Sequence, residues 1–272
     1  MTLRGPLLLV GCGKMGGALL RGWLGGGLPT AEAVVVEPSS ESRSAIAGLG
    51  VEAVADAAEL AADFSPRTVV LAVKPQQMDA VIPAYRRFAR PGTCFLSVAA
   101  GKTIGYFERH LGSEAAVVRA MPNTPAAIGR GITVACASRA VTLEQREDAT
   151  ALLAAVGEVA WVEDEGLIDP VTALSGGGPA YVFLLIECLT KAGVAAGLPE
   201  DLATRLSLAT VAGAAELARQ SGKPVADLRR DVTSPGGTTL EALNVLMGPD
   251  GLEPLFVKAI AAATRRSREL AD

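Results

Sequence analysis

The segment Leu7-Leu8-Leu9-Val10-Gly11-Cys12-Gly13-Lys14-Met15-Gly16 joins a short apolar run to a glycine-spaced turn, and a helical pattern follows it. An apolar run of this length, ended by glycine, reads as a buried strand. G-x-G-x-x-G between a strand and a helix has a mechanism. Gly11 permits a tight turn, Gly13 lets the backbone approach a pyrophosphate, and Gly16 lets helix and strand pack closely. The helix N-terminus, with Lys14 and Met15 in its first turn, then faces the anion. The segment predicts a dinucleotide site at the first strand-to-helix turn, in preference to a purely structural glycine turn.

Outward from this turn, apolar runs alternate with amphipathic stretches. Residues 6–11, 33–37, 68–73, 94–99, 115–120 and 132–137 are rich in Val, Leu and Ile and flanked by Gly, Pro or charge, so each is expected to be a strand. Residues 15–24, 41–49, 76–88 and 143–156 carry apolar side chains three and four apart, as helices do, with Thr142 as N-cap of the last. This alternation predicts a parallel sheet of βα units. After residue 162 the strand-like runs stop. Residues 181–196, 200–220, 239–247 and 253–270 read as helices, with Pro199 before one and Ser221-Gly222-Lys223-Pro224 closing it. The expected organisation is α/β, with a dinucleotide-binding domain over residues 1–162 and an all-α domain over residues 163–272. Residues 181–196 and 206–217 are apolar round most of the helix circumference, which predicts a face hidden against a second copy of the chain.

Hydrophobic residues make up 50% of the chain and charged residues 20%, which is ample material for a buried core. The 25 Lys+Arg against 29 Asp+Glu leave a net charge of −4, so no basic field attracts a nucleic-acid backbone or an anionic membrane surface. Neither nucleic acid nor membrane is an expected partner. Cys12, Cys94, Cys136 and Cys188 are scattered singly, away from the one histidine, and read as free thiols in a reducing cytoplasm. One histidine also rules out a His-based zinc site, and no metal is expected. That histidine lies in Phe107-Glu108-Arg109-His110 and reads as a surface helix position. Leu7–Val10 is cut off by Gly11, Gly13 and Lys14, too early for a secretory apolar region of ~7–15 residues. Residues 170–186 contain Ser175-Gly176-Gly177-Gly178-Pro179 and are not expected to form a continuous membrane helix of ~20 apolar residues.

Glu37 ends the second apolar run 21 positions after Gly16, close to the ~20 expected for the acid that binds the adenosine ribose. Alone it favours NAD(H). Ser39, Ser40 and Arg43 follow and offer hydrogen bonds and a positive charge to the 2′-phosphate of NADP(H), so both cofactors stay open; the serines serve equally as a helix start. Ala72-Val73-Lys74-Pro75 and Val98-Ala99-Ala100-Gly101 follow strands at the carboxyl edge, where open parallel sheets bind ligands, and their small side chains leave room for a flat cofactor. Met121-Pro122-Asn123-Thr124-Pro125 presents the Asn123 amide there on a loop stiffened by two prolines. In the helical half, Leu174-Ser175-Gly176-Gly177-Gly178-Pro179-Ala180-Tyr181 and Asp231-Val232-Thr233-Ser234-Pro235-Gly236-Gly237-Thr238-Thr239 each precede an apolar helix. The second sets backbone N–H donors and hydroxyls at a helix start, which makes either a carboxylate cradle or a capped helix.

These motifs, in this order and spacing along nearly the whole chain, resemble the pyrroline-5-carboxylate reductase family, and Ser234-Pro235-Gly236-Gly237-Thr238-Thr239 is the most specific of them. The resemblance implies a Rossmann domain that binds NADP(H) or NAD(H) and an all-α dimerisation and substrate-binding domain. It implies an intertwined homodimer, with each active site between the nucleotide domain of one subunit and helices of both, and in such families dimers assemble further into rings. The reaction it implies is reduction of the cyclic imine 1-pyrroline-5-carboxylate to L-proline. A protonated imine is already electrophilic, so that chemistry needs no metal or strong base. By the same mapping, N–H groups around Gly237, Thr238 and Thr239, beside Ser234, hold the substrate carboxylate, and the Thr239 hydroxyl meets the imine nitrogen. Glu165 matches an acidic position able to face that nitrogen. Asp231 stands where the family usually has an amide, Gly177 where it has a serine, and Glu37 where it has a small or amide residue.

Two rival readings differ in what they require. A 3-hydroxyacid dehydrogenase needs a helical-domain lysine with asparagine one turn on, yet Lys191, Lys223 and Lys258 are followed at that spacing by Ala195, Asp227 and Ala262. A non-catalytic NAD(P)-sensing protein would keep the glycine-rich turn but has no use for a carboxylate cradle at residues 234–239.

Overall fold

The computed structural model describes residues 3–271. Strands β1 (Leu7–Val10), β2 (Ala33–Val36), β3 (Glu52–Val54), β4 (Thr68–Leu71), β5 (Cys94–Ser97), β6 (Ala116–Met121), β7 (Gly131–Ala137) and β8 (Gly157–Trp161) form one sheet in the order β3-β2-β1-β4-β5-β6-β7-β8. The first six in chain order, arranged 3-2-1-4-5-6 and all parallel, are the Rossmann arrangement. All six apolar runs became strands. The two strands outside those runs, β3 and β8, are the sheet's edges, where partial exposure removes the need for a continuous apolar run.

The expectation of a wholly parallel sheet is corrected at β7, which runs antiparallel to β6. A parallel return needs a crossover of about a dozen residues or more. Residues 122–130 supply only a 3₁₀ turn, Thr124–Ile128, so the chain doubles back.

Helices α1 (Lys14–Gly25), α2 (Ser40–Ala47), α3 (Met78–Val81), α4 (Ile104–Leu111) and α5 (Leu143–Ala154) cover the sheet. On one face Leu7, Leu9, Val70, Leu96 and Val118 pack with Leu19, Trp23 and Leu152. The fully buried Trp23 indole donates its N–H to the Leu152 carbonyl at 2.9 Å, tying α1 to α5. On the other face Leu8, Val69, Phe95 and Val117 pack with Ile82, Phe107 and Ile168. Thr142 caps α5 in a reciprocal capping box with Gln145. The single helix expected over residues 76–88 is instead 3₁₀ (Pro75–Gln77), α3, and 3₁₀ (Ile82–Phe88), because Pro83 supplies no N–H and crowds the preceding turn. Helix α4, with its polar Glu108-Arg109-His110 end, falls outside the expected periodic stretches; Thr103 caps it, its Oγ1 accepting the Tyr106 N–H at 3.0 Å.

The remaining elements are α6 (Ile168–Val171), α7 (Gly178–Ala195), α8 (Glu200–Ser221), α9 (Val225–Asp231), α10 (Thr238–Leu246) and α11 (Leu252–Glu269). The glycine-rich segment expected to interrupt the helix does not. Residues Thr172–Gly176 widen into a π-helical turn, and helical backbone runs on through Glu165–Ala195, long and apolar enough by length and composition alone to span a membrane. One compact unit extends to Gly177 and takes in the chain again from Ala263; the other is Gly178–Ala262. In the second unit α7 and α8 pack closely, since a Cβ at Gly193 would lie 3.2 Å from that of Ala203. Helix α7 buries none of its residues within the chain, and Phe183, Leu184 and Leu208 are more than half exposed.

Candidate active site

The carboxyl ends of β1, β2, β4 and β5 bring the expected nucleotide-binding residues to one edge. Gly11 has φ +84°, the left-handed region that favours glycine, and its N–H donates to Val36 at 2.9 Å. A Cβ on Gly16 would lie 2.2 Å from the Gly11 carbonyl oxygen, so the first helical turn sits directly on the loop. Gly13 differs. A Cβ there would meet no atom of the described residues within 4 Å, so no packing among them demands glycine, and the bare backbone faces open space. That is the arrangement a pyrophosphate requires at the start of α1, where Lys14 is exposed and Met15 half-buried. Ala72 and Val73 stand against Gly16 and Gly11, and the Val98 N–H donates to Leu71 at 3.1 Å, aligning the loops after β4 and β5. Lys74 and Ala100 are exposed, Pro75 is half-buried and Ala99 is buried.

Glu37 is fixed at this edge. Its Oε2 accepts the Cys12 N–H at 2.8 Å and its Oε1 accepts the Ser39 N–H at 3.0 Å, with carboxylate lone pairs remaining for ribose hydroxyls. Burial first, then Glu37, pushes the Cys12 thiol up from its ordinary range, while Arg21 works the other way. Ser39 caps α2 through the Ser42 N–H at 3.3 Å, so the helix-start reading of that serine is observed. Arg43 donates to the carbonyls of Glu37 at 2.8 Å and Pro38 at 2.7 Å. A hollow of 390 Å³ lies beside Gly13, Lys14 and Ser42, and one of 150 Å³ beside Gly11, Pro38, Val73 and Tyr85.

Asn123 uses both ends of its amide within the fold. Its Nδ2 donates to Ser175 at 3.2 Å and its Oδ1 accepts the Ile132 N–H at 3.0 Å, pinning the proline-rich loop to the π turn. Glu165 Oε1 accepts two donors at 2.8 Å, the Ile104 N–H and Arg119 Nη1. Asp169 accepts the Ser267 hydroxyl at 2.8 Å and lies 3.9 Å from Arg119 and from Arg268. Arg119 went unrecognised in the sequence because it lies inside an apolar run; a lone charge at a core-facing strand position was the available signal. Nearby, Tyr106 donates its hydroxyl to Asp79 at 2.6 Å and Lys102 lies 3.6 Å from that carboxylate. The Tyr106 hydrogen bond, then Lys102, holds the Asp79 carboxyl below its ordinary range. Among the described residues no group of His, Cys, Asp and Glu is arranged to hold a metal.

In the second unit, Ser234-Pro235-Gly236-Gly237 makes a tight turn with Gly236 at φ +69° and the Gly237 N–H donating to Ser234 at 3.0 Å. This is the turn that Pro followed by Gly favours. Helix α10 starts at the next residue, its N-cap Gly237 offering no side chain. The N–H groups of Thr238 and Thr239 have no hydrogen-bond partner among the described residues, and both threonines are exposed. Asp231, at the end of α9, is paired with Lys223 at 2.9 Å, so its charge is locally neutralised.

A Rossmann sheet with an open glycine turn, continued by an all-helical part, defines a nicotinamide-dinucleotide oxidoreductase. A family model described as pyrroline-5-carboxylate reductase dimerisation matches residues 165–270, and one described as NADP oxidoreductase, coenzyme F420-dependent, matches residues 7–101. Pyrroline-5-carboxylate reductase of Pseudomonas aeruginosa is 42% identical over 98% of this chain and 97% of its own, and that of Pisum sativum 37% identical over 96% and 94%. Among solved structures, a pyrroline-5-carboxylate reductase from Coxiella burnetii superposes with a TM-score of 0.92 at 36% identity, covering 98% of this chain and 99% of that one. The Plasmodium falciparum pyrroline carboxylate reductase with NADP bound gives 0.83 at 30%, covering 98% of each. The chain belongs to the pyrroline-5-carboxylate reductase family.

Proposed function

We propose that this chain reduces the cyclic imine 1-pyrroline-5-carboxylate to L-proline with NADPH or NADH, and that Thr239 is its principal substrate-orienting residue. The observation that carries the reading is the start of α10, where two adjacent N–H groups have no hydrogen-bond partner among the described residues, behind a Pro-Gly turn. Those two donors and the helix dipole suit a substrate carboxylate, held by Thr238 and Thr239, while Gly237, its own N–H taken by the Ser234 carbonyl, leaves the approach free of a side chain. Asp231, at the end of α9 and three residues before this turn in the chain, has its charge met by Lys223.

When bound, the reduced nicotinamide supplies the hydride. Gly11, Gly13, Gly16, Lys14 and Met15 would hold its pyrophosphate, and Glu37 its adenosine ribose. Ala72–Pro75 and Val98–Ala100 would line its path, with Asn123 bracing the adjoining loop. The imine arrives protonated; as its carbon takes the hydride, the C=N π pair becomes the nitrogen lone pair. Thr239 Oγ1 accepts the iminium N–H and fixes which ring face is presented, and Glu165 supplies negative charge toward the cationic nitrogen. No strong base is needed, and positioning provides most of the rate.

Residues 1–162 serve as the NAD(P)-binding domain and residues 163–272 as the dimerisation and substrate-binding domain. The exposed apolar side chains of α7 and α8 support a homodimer, assembled in turn into a ring of dimers, and give that surface a protein partner in place of lipid. The four free thiols support a cytoplasmic location.

The test is oxidation of NADH and of NADPH, each with and without the imine, followed by absorbance of the reduced nicotinamide. Imine-dependent oxidation is expected. Tight dinucleotide binding with no turnover would instead favour the sensing protein. Thr239→Ala should lower kcat on the order of tenfold to a hundredfold while dinucleotide affinity stays within about twofold. An unchanged kcat removes Thr239 from the mechanism.

A further inference from the structure

We infer that Arg119 is a positioning residue for the dinucleotide, acting through Glu165 on the loop that follows β5. This rests on the proposed placement of residues 98–100 against the cofactor. The Arg119 side chain is only 4% exposed, so it does not itself reach a bound ligand. Its Nη1 and the Ile104 N–H share one oxygen of Glu165, each at 2.8 Å. Ile104 is the first residue of α4, and Thr103 caps that helix directly after the loop. Glu165 therefore clamps the loop's far end, and Arg119 holds the clamp in place from β6.

A second contact closes on the same loop. Gly101, at φ +77°, would bring a Cβ to 3.0 Å from the Leu270 carbonyl oxygen, so the chain beyond α11 seats on the loop's backbone. That end of α11 is fastened by the buried Ser267 hydroxyl donating to Asp169 at 2.8 Å. Asp169 Oδ1 is also the carboxylate oxygen 3.9 Å from Arg119 Nη2, and that nitrogen is buried with no hydrogen-bond partner among the described residues. Both fastenings of the loop thus converge on one buried guanidinium. A buried Arg left short of a partner is costly to keep as a fold element alone, since a whole buried ion-pair cluster is often replaceable by packed hydrophobic residues, although removing one member by itself is destabilising. Its geometry makes sense if the loop's position is what it secures.

The experiment compares Arg119→Lys, Arg119→Met and Ser267→Ala with the unaltered chain, measuring KM for dinucleotide and imine separately, and dinucleotide Kd by calorimetry without imine. Arg119→Lys keeps the charge but not the planar fork, and Ser267→Ala releases α11 without unpairing a charge, so a folded variant is available if Arg119→Met does not fold. Expected is a rise in dinucleotide KM and Kd on the order of tenfold for the Arg119 variants and roughly threefold for Ser267→Ala, with imine KM within about twofold for Ser267→Ala, which leaves Glu165 and its partners in place. Folded variants with unchanged dinucleotide Kd, or with the loss confined to imine KM, would overturn the inference. Because Kd is read without turnover, an unaltered chain that fails to reduce the imine sinks the proposed reaction separately.

Discussion

Gly13 and Gly16 occupy one motif for different physical reasons. A methyl at Gly16 collides with the Gly11 carbonyl at 2.2 Å, whereas a methyl at Gly13 meets nothing within 4 Å among the described residues. Gly16→Ala should therefore cost ~1–3 kcal/mol of stability, seen as a lower Tm in thermal unfolding. Gly13→Ala should leave Tm within about 1 °C and weaken dinucleotide binding more than ~tenfold, because its methyl enters space the pyrophosphate needs. Equal Tm losses in the two variants would refute the distinction. Glu37 is anchored by the Cys12 and Ser39 N–H groups, which keeps its carboxylate at the carboxyl end of β2. Glu37→Ser should raise the NADPH-to-NADH ratio of kcat/KM on the order of tenfold by removing a charge that repels a 2′-phosphate; an unmoved ratio would place that carboxylate away from the ribose. The Gly and Glu positions were legible in the sequence since spacing alone encodes them. The partnering of Arg119 was not, because Glu165 and Asp169 reach it from distant parts of the chain.

Among the elements, those with a strong local signal behaved as expected. Thr142 caps α5 in a complete box, and Thr142→Ala should cost ~1 kcal/mol and lower Tm by roughly 2–4 °C; no change would mean that packing under α5 outweighs the cap. Six strands carried continuous apolar runs because they are buried, while β3 and β8 lie at the sheet edges and show no such run. The segment from Pro75 to Phe88 has helical apolar spacing, yet Pro83 splits it. Conversely, glycines from Ser175 onward read as a break, and the backbone instead passes through Gly176 in a π turn held by Asn123 from across the fold and resumes as α7 at Gly178. In both cases apolar periodicity measures which face is buried and says nothing of whether each backbone hydrogen bond is available.

For the whole molecule, the exposed apolar surface of α7 and α8 is the property to test. Phe183 is 60% exposed in the single chain. Phe183→Glu should shift sedimentation toward the monomer and remove most imine-dependent activity, since a charge buried at an apolar interface is costly. A variant that keeps the unaltered chain's sedimentation and rate would show that this face is not the interface. The sequence by itself determined the α/β architecture and the glycine turn between β1 and α1, because each is encoded by residues close together in the chain. Only the tertiary structure decided that β7 reverses direction, that the chain beyond α11 returns to Gly101, and that Glu165 and Asp169 converge on Arg119. Those outcomes depend on which distant groups pack together, and pairing between remote segments leaves no periodic trace along the chain.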